Sequence, residues 1–226
     1  MNASRNSPAG ADTTRAVDAG APDGSDDLSV APGAARAIAQ TQAWVERAVI
    51  GLNLCPFAKA AQQRRRVRYV HSGATDAEAL LGAFCDEARL LIATPAEQTE
   101  TTLLIHPGVL DDFDDYNDFL DIAEGALDAL GCAGVLQVAS FHPHYRFAGT
   151  AADAIDNATN RSPWPILQLL REASVTAAAL AFPDSATIYE ANIATLRALG
   201  LSGWAALQAE CRRDAEVAIE VELDQD

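Results

Sequence analysis

Apolar residues along the chain recur at two different spacings, one typical of helices and one typical of strands. Ile38, Val45, Val49 and Leu52 share one face at helical spacing. Short runs rich in valine, isoleucine and leucine predict strands between the helical segments. The predicted strands are 67–71, 101–105 and 134–141. The predicted helices are 34–52, 75–94, 112–130, 165–173, 175–181, 185–199 and 203–213.

The order of these elements is β-α-β-α-β with helices on either side. Strands that are separated by helices of this length pair in parallel through right-handed crossovers. The sequence therefore predicts an α/β fold with a small, mainly parallel sheet flanked by helices and followed by a C-terminal helical section. A thioredoxin-like variant with a strand at 49–54 is the alternative, but the helical period through 38–52 favours the first arrangement.

Composition divides the chain into three segments. Residues 1–33 are rich in Ala, Gly, Ser, Asp and Pro without an apolar period, which predicts a disordered N-terminal segment. Residues 34–213 form one predicted α/β domain. Residues 214–226 carry acidic side chains and no basic ones, and they predict an acidic tail, interpreted either as a partner contact or as a solvated terminus.

The net charge and the cysteine content limit which binding partners and which cellular location are expected. The 226 residues contain 16 Lys+Arg and 32 Asp+Glu, which gives a formal net charge of −16. Nucleic acids and anionic membranes attract basic faces, so neither is expected as a partner. The four cysteines are too widely spaced for a disulfide framework, and the N-terminus lacks a secretory apolar stretch. A cytoplasmic location is expected.

Histidines mark the ends of the predicted strands. His71 ends the first strand, His106 follows the second, and His142 and His144 follow the third. Ligands of open parallel sheets bind beyond the carboxyl ends of the strands. We therefore expect a polar cleft there, with His142 as general acid–base because its ordinary pKa suits proton transfer near neutral pH. The alternative is that His106 and His142, each followed by proline, only end their strands.

A metal site is a weaker interpretation of the same residues. His142 and His144 alternate along an extended segment, and His106 or Asp111 could complete a set of three ligands. A lone His-x-His pair is common, however, and no HExxH motif is present, so no metal ligand is predicted. GxGxxG and GxxxxGK[ST] motifs are also missing from the sequence, which disfavours Rossmann dinucleotide binding and P-loop binding, and no particular cofactor is indicated.

Cys55 is a candidate nucleophile or redox thiol. Pro56 suits the first position of a helix, so Cys55 is predicted as its N-cap, facing free amides and the positive end of the dipole. Lys59 lies one turn on and begins a cluster of basic residues that ends at Arg68, a cluster attractive to anions. The alternative is that Cys55 only fills space at a helix start.

The connection 142–165 carries the candidate anion-binding residues. It is longer than most irregular loops, which indicates a functional segment. Arg161 and Ser162 precede the predicted helix at 165–173, where a guanidinium and helix amides could hold a phosphate or carboxylate. Arg146 and Asn160 would assist. The alternative is that Ser162 or Asn160 is only a helix cap.

Four sequence blocks resemble a bacterial family known as domain of unknown function 1415. The blocks are Leu-Cys-Pro-Phe-Ala-Lys at 54–59, Leu-Leu-Ile-His-Pro at 103–107, Phe-His-Pro-His-Tyr-Arg-Phe at 141–147 and Asn-Arg-Ser-Pro at 160–163. The resemblance runs from about residue 40 to about residue 208. It implies one compact domain and supplies no activity. The signature positions include Cys55, His106, His142, Tyr145, Asn160 and Arg161, whereas His71 and His144 are not among them.

These observations predict an enzyme that acts on a small phosphate- or carboxylate-bearing metabolite. The candidate catalytic residues are His142, Cys55, His106 and Tyr145. The candidate substrate-binding residues are Arg161, Arg146, Asn160, Ser162 and Lys59. A non-catalytic ligand-binding or scaffold protein is the alternative, and a metal-dependent enzyme with a histidine cluster is the second alternative.

Overall fold

A computed structural model describes residues 32–181 and 185–223. The predicted disordered segment 1–33 lies outside the described residues except for its last two. The helices are α1 (Pro32–Trp44), α2 (Ala58–Gln63), α3 (Ala77–Ala93), α4 (Phe113–Ala129), α5 (Glu172–Ala181) and α6 (Ser185–Leu223). The strands are β1 (Val67–His71), β2 (Thr101–Ile105), β3 (Leu136–Phe141) and β4 (Ile166–Arg171). A π-helical turn covers Val45–Ile50, and a 3₁₀ turn covers Ile155–Asn160.

The α/β class, with flanking helices and a C-terminal helical section, is confirmed. The four strands lie in the order β1-β2-β4-β3. β1 and β2 pair in parallel, and β4 pairs antiparallel with both β2 and β3. The three predicted strands therefore run in one direction, as expected, and the inserted β4 makes the sheet mixed. The periodicity also favoured a helix over a strand at 49–54, and no strand forms there.

The predicted helix at 165–173 is wrong, because residues 166–171 form the strand β4. The run Ile-Leu-Gln-Leu-Leu suits either a helix or a strand, since leucine favours helices and short apolar runs have no clear period. Tertiary context decides for the strand. Ile166 packs against one face of the sheet and Leu167 against the other, and both are fully buried. Only a strand places adjacent residues on opposite faces in this way.

Helices cover both faces of the sheet. Leu104 of β2 packs into one core with side chains of α3 and α4, including Phe84 and Tyr116. Its neighbours Leu103 and Ile105 pack into a second core with residues of α1, the π-helical turn and α6. The result is a three-layer arrangement in which the edge formed by the carboxyl ends of β1, β2 and β3 stays between the two helical layers.

Two helix boundaries differ slightly from the sequence pattern. Asp76 rather than Thr75 is the N-cap of α3, and its carboxylate accepts from the Ala79 N–H at 2.8 Å. Helix α4 ends at Ala129, and Gly131 follows with a φ of 73°, the left-handed conformation that commonly ends a helix.

Helix α6 bends at Gly200, which has a φ of 68°, and continues beyond residue 213, the predicted end of the domain. Arg47 of the π-helical turn is bonded to Asp214 and, at 2.7 Å, to Glu210. Ala215 is almost completely buried. The beginning of the predicted acidic tail is thus helical and packed. None of the described helices is both long and apolar enough to cross a membrane.

Candidate functional site

Two buried histidines meet where β2 and β3 end. His106 follows β2 and His142 follows β3, and neither side chain is exposed. The ring of Tyr116, from α4, lies beside both, with its centroid 5.8 Å from His106 and 5.0 Å from His142. The sequence analysis expected this meeting at the strand ends. His71 ends β1 and lies on the same face of that strand as Val67 and Tyr69, which pack against the second core, so it does not join the pair.

Both ring nitrogens of His142 bond to the backbone. Its Nδ1 accepts from the His144 N–H at 3.0 Å, so Nε2 carries the proton and donates to the Leu110 carbonyl at 3.2 Å. Burial is the largest influence on this ring and lowers its pKa, which keeps the imidazole neutral. No ring atom is left free for a substrate in this arrangement.

The ring of His106 also bonds to the backbone, but through only one of its two nitrogens. Its Nδ1 donates to the Val109 carbonyl at 3.1 Å, and Nε2 is buried without a partner among the described residues. The pKa of His106 is lowered to about 4, mainly by burial, with a smaller contribution from the nearby His142, while the bond to Val109 opposes the shift. The two imidazoles therefore hold successive carbonyls of one loop. Leu110 in that loop has a φ of 58°, a conformation that is uncommon for leucine.

The phenol of Tyr116 joins two strands. Its hydroxyl donates to the Ile166 carbonyl at 2.7 Å and accepts from the Phe141 N–H at 3.0 Å. Desolvation raises the pKa of Tyr116 above its ordinary value, so the hydroxyl keeps its proton. Tyr116 thus bonds the start of β4 to the end of β3. The sequence analysis did not predict this bridging role.

An open cavity of about 370 Å³ lies beside these strand ends, on the α1 and α6 side of the sheet. We call it the arginine cavity. Its lining residues are Arg36, Gln40, Trp44, Pro143, Arg161, Ser162, Pro163, Trp164, Gln208, Cys211 and Arg212. Among the residues that the structure describes, no aspartate or glutamate lines it. Three guanidinium groups from α1, the segment before β4, and α6 thus share one cavity.

Arg161 is held by the backbone. Its Nε donates to the Tyr145 carbonyl at 3.3 Å, and its Nη2 donates to the Ala152 carbonyl. Nη1 forms no hydrogen bond with any residue in 32–181 or 185–223. Partial burial lowers the pKa of Arg161, an effect that Asp153 opposes, but an arginine remains charged at neutral pH. The guanidinium plane is therefore fixed, with one nitrogen unused.

Ser162 does not precede a helix, so the predicted helix start after it is wrong. Pro163-Trp164-Pro165 leads into the strand β4 instead. The Ser162 hydroxyl is almost completely buried and donates to the Trp164 carbonyl two residues on. Its role in the described structure is to shape this turn at the wall of the arginine cavity.

Two tryptophans of the arginine cavity carry unpaired donors. The indole N–H groups of Trp44 and Trp164 are buried, and neither has an acceptor within the described part of the chain. Buried polar groups of proteins are nearly always hydrogen-bonded. Trp44 also makes an edge contact with Phe141, with ring centroids 5.3 Å apart, so its ring position is fixed at the end of β3. Two donors buried behind the cavity lining are therefore without acceptors among the described residues.

The other predicted residues lie outside the arginine cavity. Asn160 donates to the Ser140 carbonyl at 3.0 Å, which ties the 3₁₀ turn to β3. Arg146 is exposed, bonds to Asp114 at 2.6 Å and lies over the Phe113 ring. Tyr145 is half-buried and packs edge-on against Phe113, with centroids 5.1 Å apart.

Cys55 and Lys59 belong to a separate region around α2. The prediction that Cys55 caps a helix is wrong, because α2 begins only at Ala58, with Phe57 in the cap position. The Cys55 amide instead bonds to the Val49 carbonyl at 3.4 Å, so the end of the π-helical turn fixes this segment. Cys55 is half-buried and unpaired, and Lys59 is exposed on α2.

Metal-ligating side chains do not cluster in the described part of the chain. No group of three or more His, Cys, Asp or Glu residues is arranged to hold an ion within 32–181 and 185–223. His142 and His144 are neighbours, with ring centroids 5.8 Å apart, but the bonds of His142 to the backbone occupy both of its nitrogens.

The profile of a protein family described as "Protein of unknown function (DUF1415)" matches residues 36–206. This match covers well over half of the 226 residues. The chain belongs to the DUF1415 family. The family resemblance of the sequence is thereby confirmed. Comparisons with curated proteins and with solved structures found no match.

Within this DUF1415 protein, the matched residues include Arg36 and Arg161, whereas Arg212 lies beyond them. The sequence analysis singled out Arg161 and missed Arg36 and Arg212. These two residues lie on helices far apart in the chain, and α1 and α6 must pack together before they share a wall. A cation on an exposed helical face carries no local signal that distinguishes it from other surface charges.

Proposed function

We propose that this DUF1415 protein binds a small anionic metabolite in the arginine cavity. The observation that carries the proposal is the fixed guanidinium of Arg161, which keeps Nη1 unused in a cavity that no described carboxylate lines. A ligand with phosphate or carboxylate oxygens would supply the missing acceptors, and planar guanidinium groups bind such oxygens in pairs.

The charge balance of the chain supports the proposal. Acidic residues outnumber basic residues two to one. Even so, no described carboxylate comes within 4 Å of Arg36, Arg161 or Arg212, whereas Arg47, Arg68 and other arginines are ion-paired. Three unpaired cations around one cavity produce a local field that attracts anions into it.

Preorganisation of Arg161 adds to the expected affinity. Binding usually requires long side chains to give up rotational freedom. The bonds from Arg161 to two carbonyls have already fixed its side chain, so a ligand need not order it. Arg36 and Arg212 are exposed and form no side-chain hydrogen bond with the described residues, so they would be ordered on binding.

Turnover of the ligand, with His142 as general acid–base, stays a prediction. The His142 ring is buried and bonded at both nitrogens, and only its neighbour Pro143 reaches the arginine cavity. The geometry therefore favours ligand binding over acid–base chemistry at this ring, and a non-catalytic binding protein becomes the stronger of the two hypotheses.

The free state of all four cysteines supports a reducing location such as the cytoplasm.

Thermal denaturation with small anions tests this proposal. Inorganic phosphate, pyrophosphate and citrate are added at ionic strength matched with chloride. At a hundredfold excess over the dissociation constant, a bound anion stabilises the fold by about 2.7 kcal/mol, or roughly 5–10 °C in Tm. The double variant Arg36→Gln/Arg212→Gln is expected to lose most of the shift. Arg213→Gln, which removes an exposed cation adjacent to the cavity residue Arg212, is the matched control and should keep it.

The outcomes of this experiment are distinct. A shift that the double variant loses and the Arg213→Gln control keeps supports binding in the arginine cavity. A shift that survives in the double variant indicates that the anion binds elsewhere, and it overturns the proposed site. If neither these anions nor larger organic phosphates shift the Tm of the wild-type chain, the proposed function is wrong.

A further inference from the structure

Size and shape distinguish the arginine cavity from a site for a simple inorganic ion. Its volume of about 370 Å³ lies within the ~300–1,000 Å³ range of small-molecule sites. A single water occupies only about 30 Å³ of liquid, so an inorganic phosphate would fill a fraction of this space. An organic ligand with both a charged part and a larger uncharged part fits the volume better.

The charged wall sets a minimum for the ligand's charge. Arg36, Arg161 and Arg212 contribute three positive charges, and no described carboxylate lines the cavity to offset them. A monoanion would leave most of this charge uncompensated in a partly enclosed space, where charges interact more strongly than in bulk water. A ligand with two or three negative charges matches the wall.

The uncharged part of the cavity lining contains aromatic and proline side chains. Trp164 is half-buried between Pro163 and Pro165, and Pro143 joins it in lining the cavity. Planar rings of ligands stack on indole faces with little dependence on the identity of the ring, and such stacking contributes substantially to nucleotide binding. A ligand with a planar ring matches this wall.

From these features we infer that the ligand is a nucleoside phosphate with at least two negative charges, its phosphates bound by the three arginines and its base stacked on Trp164. This inference deepens the proposed function and rests on it. Side chains from three separate chain segments would recognise the nucleotide, without a glycine-rich phosphate loop. Such recognition does not require the GxGxxG or GxxxxGK[ST] motif, and the sequence contains neither.

Binding of the two halves of the ligand, measured by calorimetry on the full chain, provides the first test. ADP, GDP and UDP are compared with pyrophosphate, which lacks the base, and with adenosine, which lacks the charge. At least one nucleoside diphosphate is expected to bind tenfold or more tightly than pyrophosphate and adenosine. If pyrophosphate or citrate binds and no nucleoside diphosphate binds more tightly, the inference is wrong while the proposed function stands. If no anion binds, both are wrong.

Substitutions of Trp164 separate stacking from charge. Trp164→Leu is expected to weaken the tightest-binding nucleoside diphosphate about tenfold and to leave pyrophosphate unchanged, while Trp164→Phe, which keeps a flat ring, restores most of the affinity. Arg212→Gln should weaken both ligands, and Arg213→Gln neither. If Trp164→Leu weakens the binding of nucleotide and pyrophosphate equally, or weakens neither, the base does not stack on Trp164. The comparison of ligands on the wild-type chain remains decisive if a Trp164 variant does not fold.

Discussion

The Nε2–H of His142 donates a hydrogen bond to the backbone carbonyl of Leu110 at 3.2 Å. Leu110 has a left-handed backbone conformation, with a φ of 58°, which leucine adopts only when its surroundings enforce it. The imidazole of a residue that follows β3 thus stabilises an unfavourable conformation in the loop that follows β2. This bond gives His142 a structural role that does not require it to react with a ligand.

Substitution of His142 is therefore expected to destabilise the fold. His142→Gln cannot reproduce both ring bonds, so it leaves the Leu110 carbonyl or the His144 N–H without its partner, at a cost of about 1–3 kcal/mol. Urea denaturation measures this cost. His144→Gln, which replaces the neighbouring exposed ring, is the control and should change the free energy of unfolding little. Wild-type stability in His142→Gln would return this residue to the catalytic candidates.

Acidification is expected to destabilise the protein through His106. The pKa of this ring is lowered from 6.5 to about 4 in the folded state, so the unfolded chain binds more protons between these values. The neutral His106 ring therefore contributes about 3 kcal/mol to the free energy of unfolding above pH 6.5. This contribution is lost as the pH falls through 6.5 toward 4. Burial lowers the pKa of His142 as well, and this adds a loss of the same sign.

Denaturation of the wild type and of His106→Gln at pH 8 and at pH 5 tests this dependence. At pH 8 the ring is neutral in both states, so the two proteins differ there only by the substitution itself. The loss of stability between the two pH values should be smaller in His106→Gln. An equal loss in both proteins would show that His106 does not govern the acid sensitivity.

Removal of the Tyr116 hydroxyl should loosen the junction of β3 and β4. Tyr116→Phe leaves the Ile166 carbonyl and the Phe141 N–H without their partner and keeps the ring, at a cost of about 1–3 kcal/mol. Thermal denaturation should show a Tm several degrees lower. Tyr189→Phe, on an exposed part of α6, is the control and should leave the Tm unchanged.

Cysteine alkylation in the native protein should separate the four thiols. Cys55 and Cys85 are half-buried, whereas Cys132 and Cys211 are buried. Burial also raises the pKa of Cys132 and of Cys211. Near neutral pH these two thiols are therefore protonated as well as inaccessible. Mass spectrometry after brief iodoacetamide treatment should find Cys55 labelled well before Cys211. Labelling of Cys55 only after unfolding would exclude it as a reactive thiol.

The Arg47 contacts are expected to hold the last part of α6. Arg47 bonds to Glu210 and Asp214, and the same guanidinium is the main cause that lowers the pKa of Asp214. Arg47→Gln should accelerate hydrogen exchange of amides 210–223, while exchange in α4 stays unchanged. Salt should produce a similar effect in the wild type, because exposed ion pairs are screened. Equal exchange in both proteins would show that packing at Ala215 alone fixes this helix.

The sequence predicted the meeting of His106 and His142, because the β-α-β order places the ends of parallel strands at one edge. It could not predict β4, since the leucine-rich run 166–171 has no local feature that distinguishes a strand from a helix. That error also misplaced Ser162 at a helix start. The arginine cavity was only partly predictable. Arg161 stands out in a long loop, but Arg36 and Arg212 approach it only after α1 and α6 pack together.

The insertion of β4 between β2 and β3 has a consequence for synthesis of the chain. Among the described strands, β3 pairs with β4 alone, so it has no hydrogen-bonded neighbour in the sheet until residues 166–171 have left the ribosome. Until then, the edges of β2 and β3 that later bond to β4 are unpaired, and such edges promote aggregation of nascent chains. A ribosome-bound chain that ends before residue 166 would therefore need a chaperone, and one extended through α6 could close the sheet unaided.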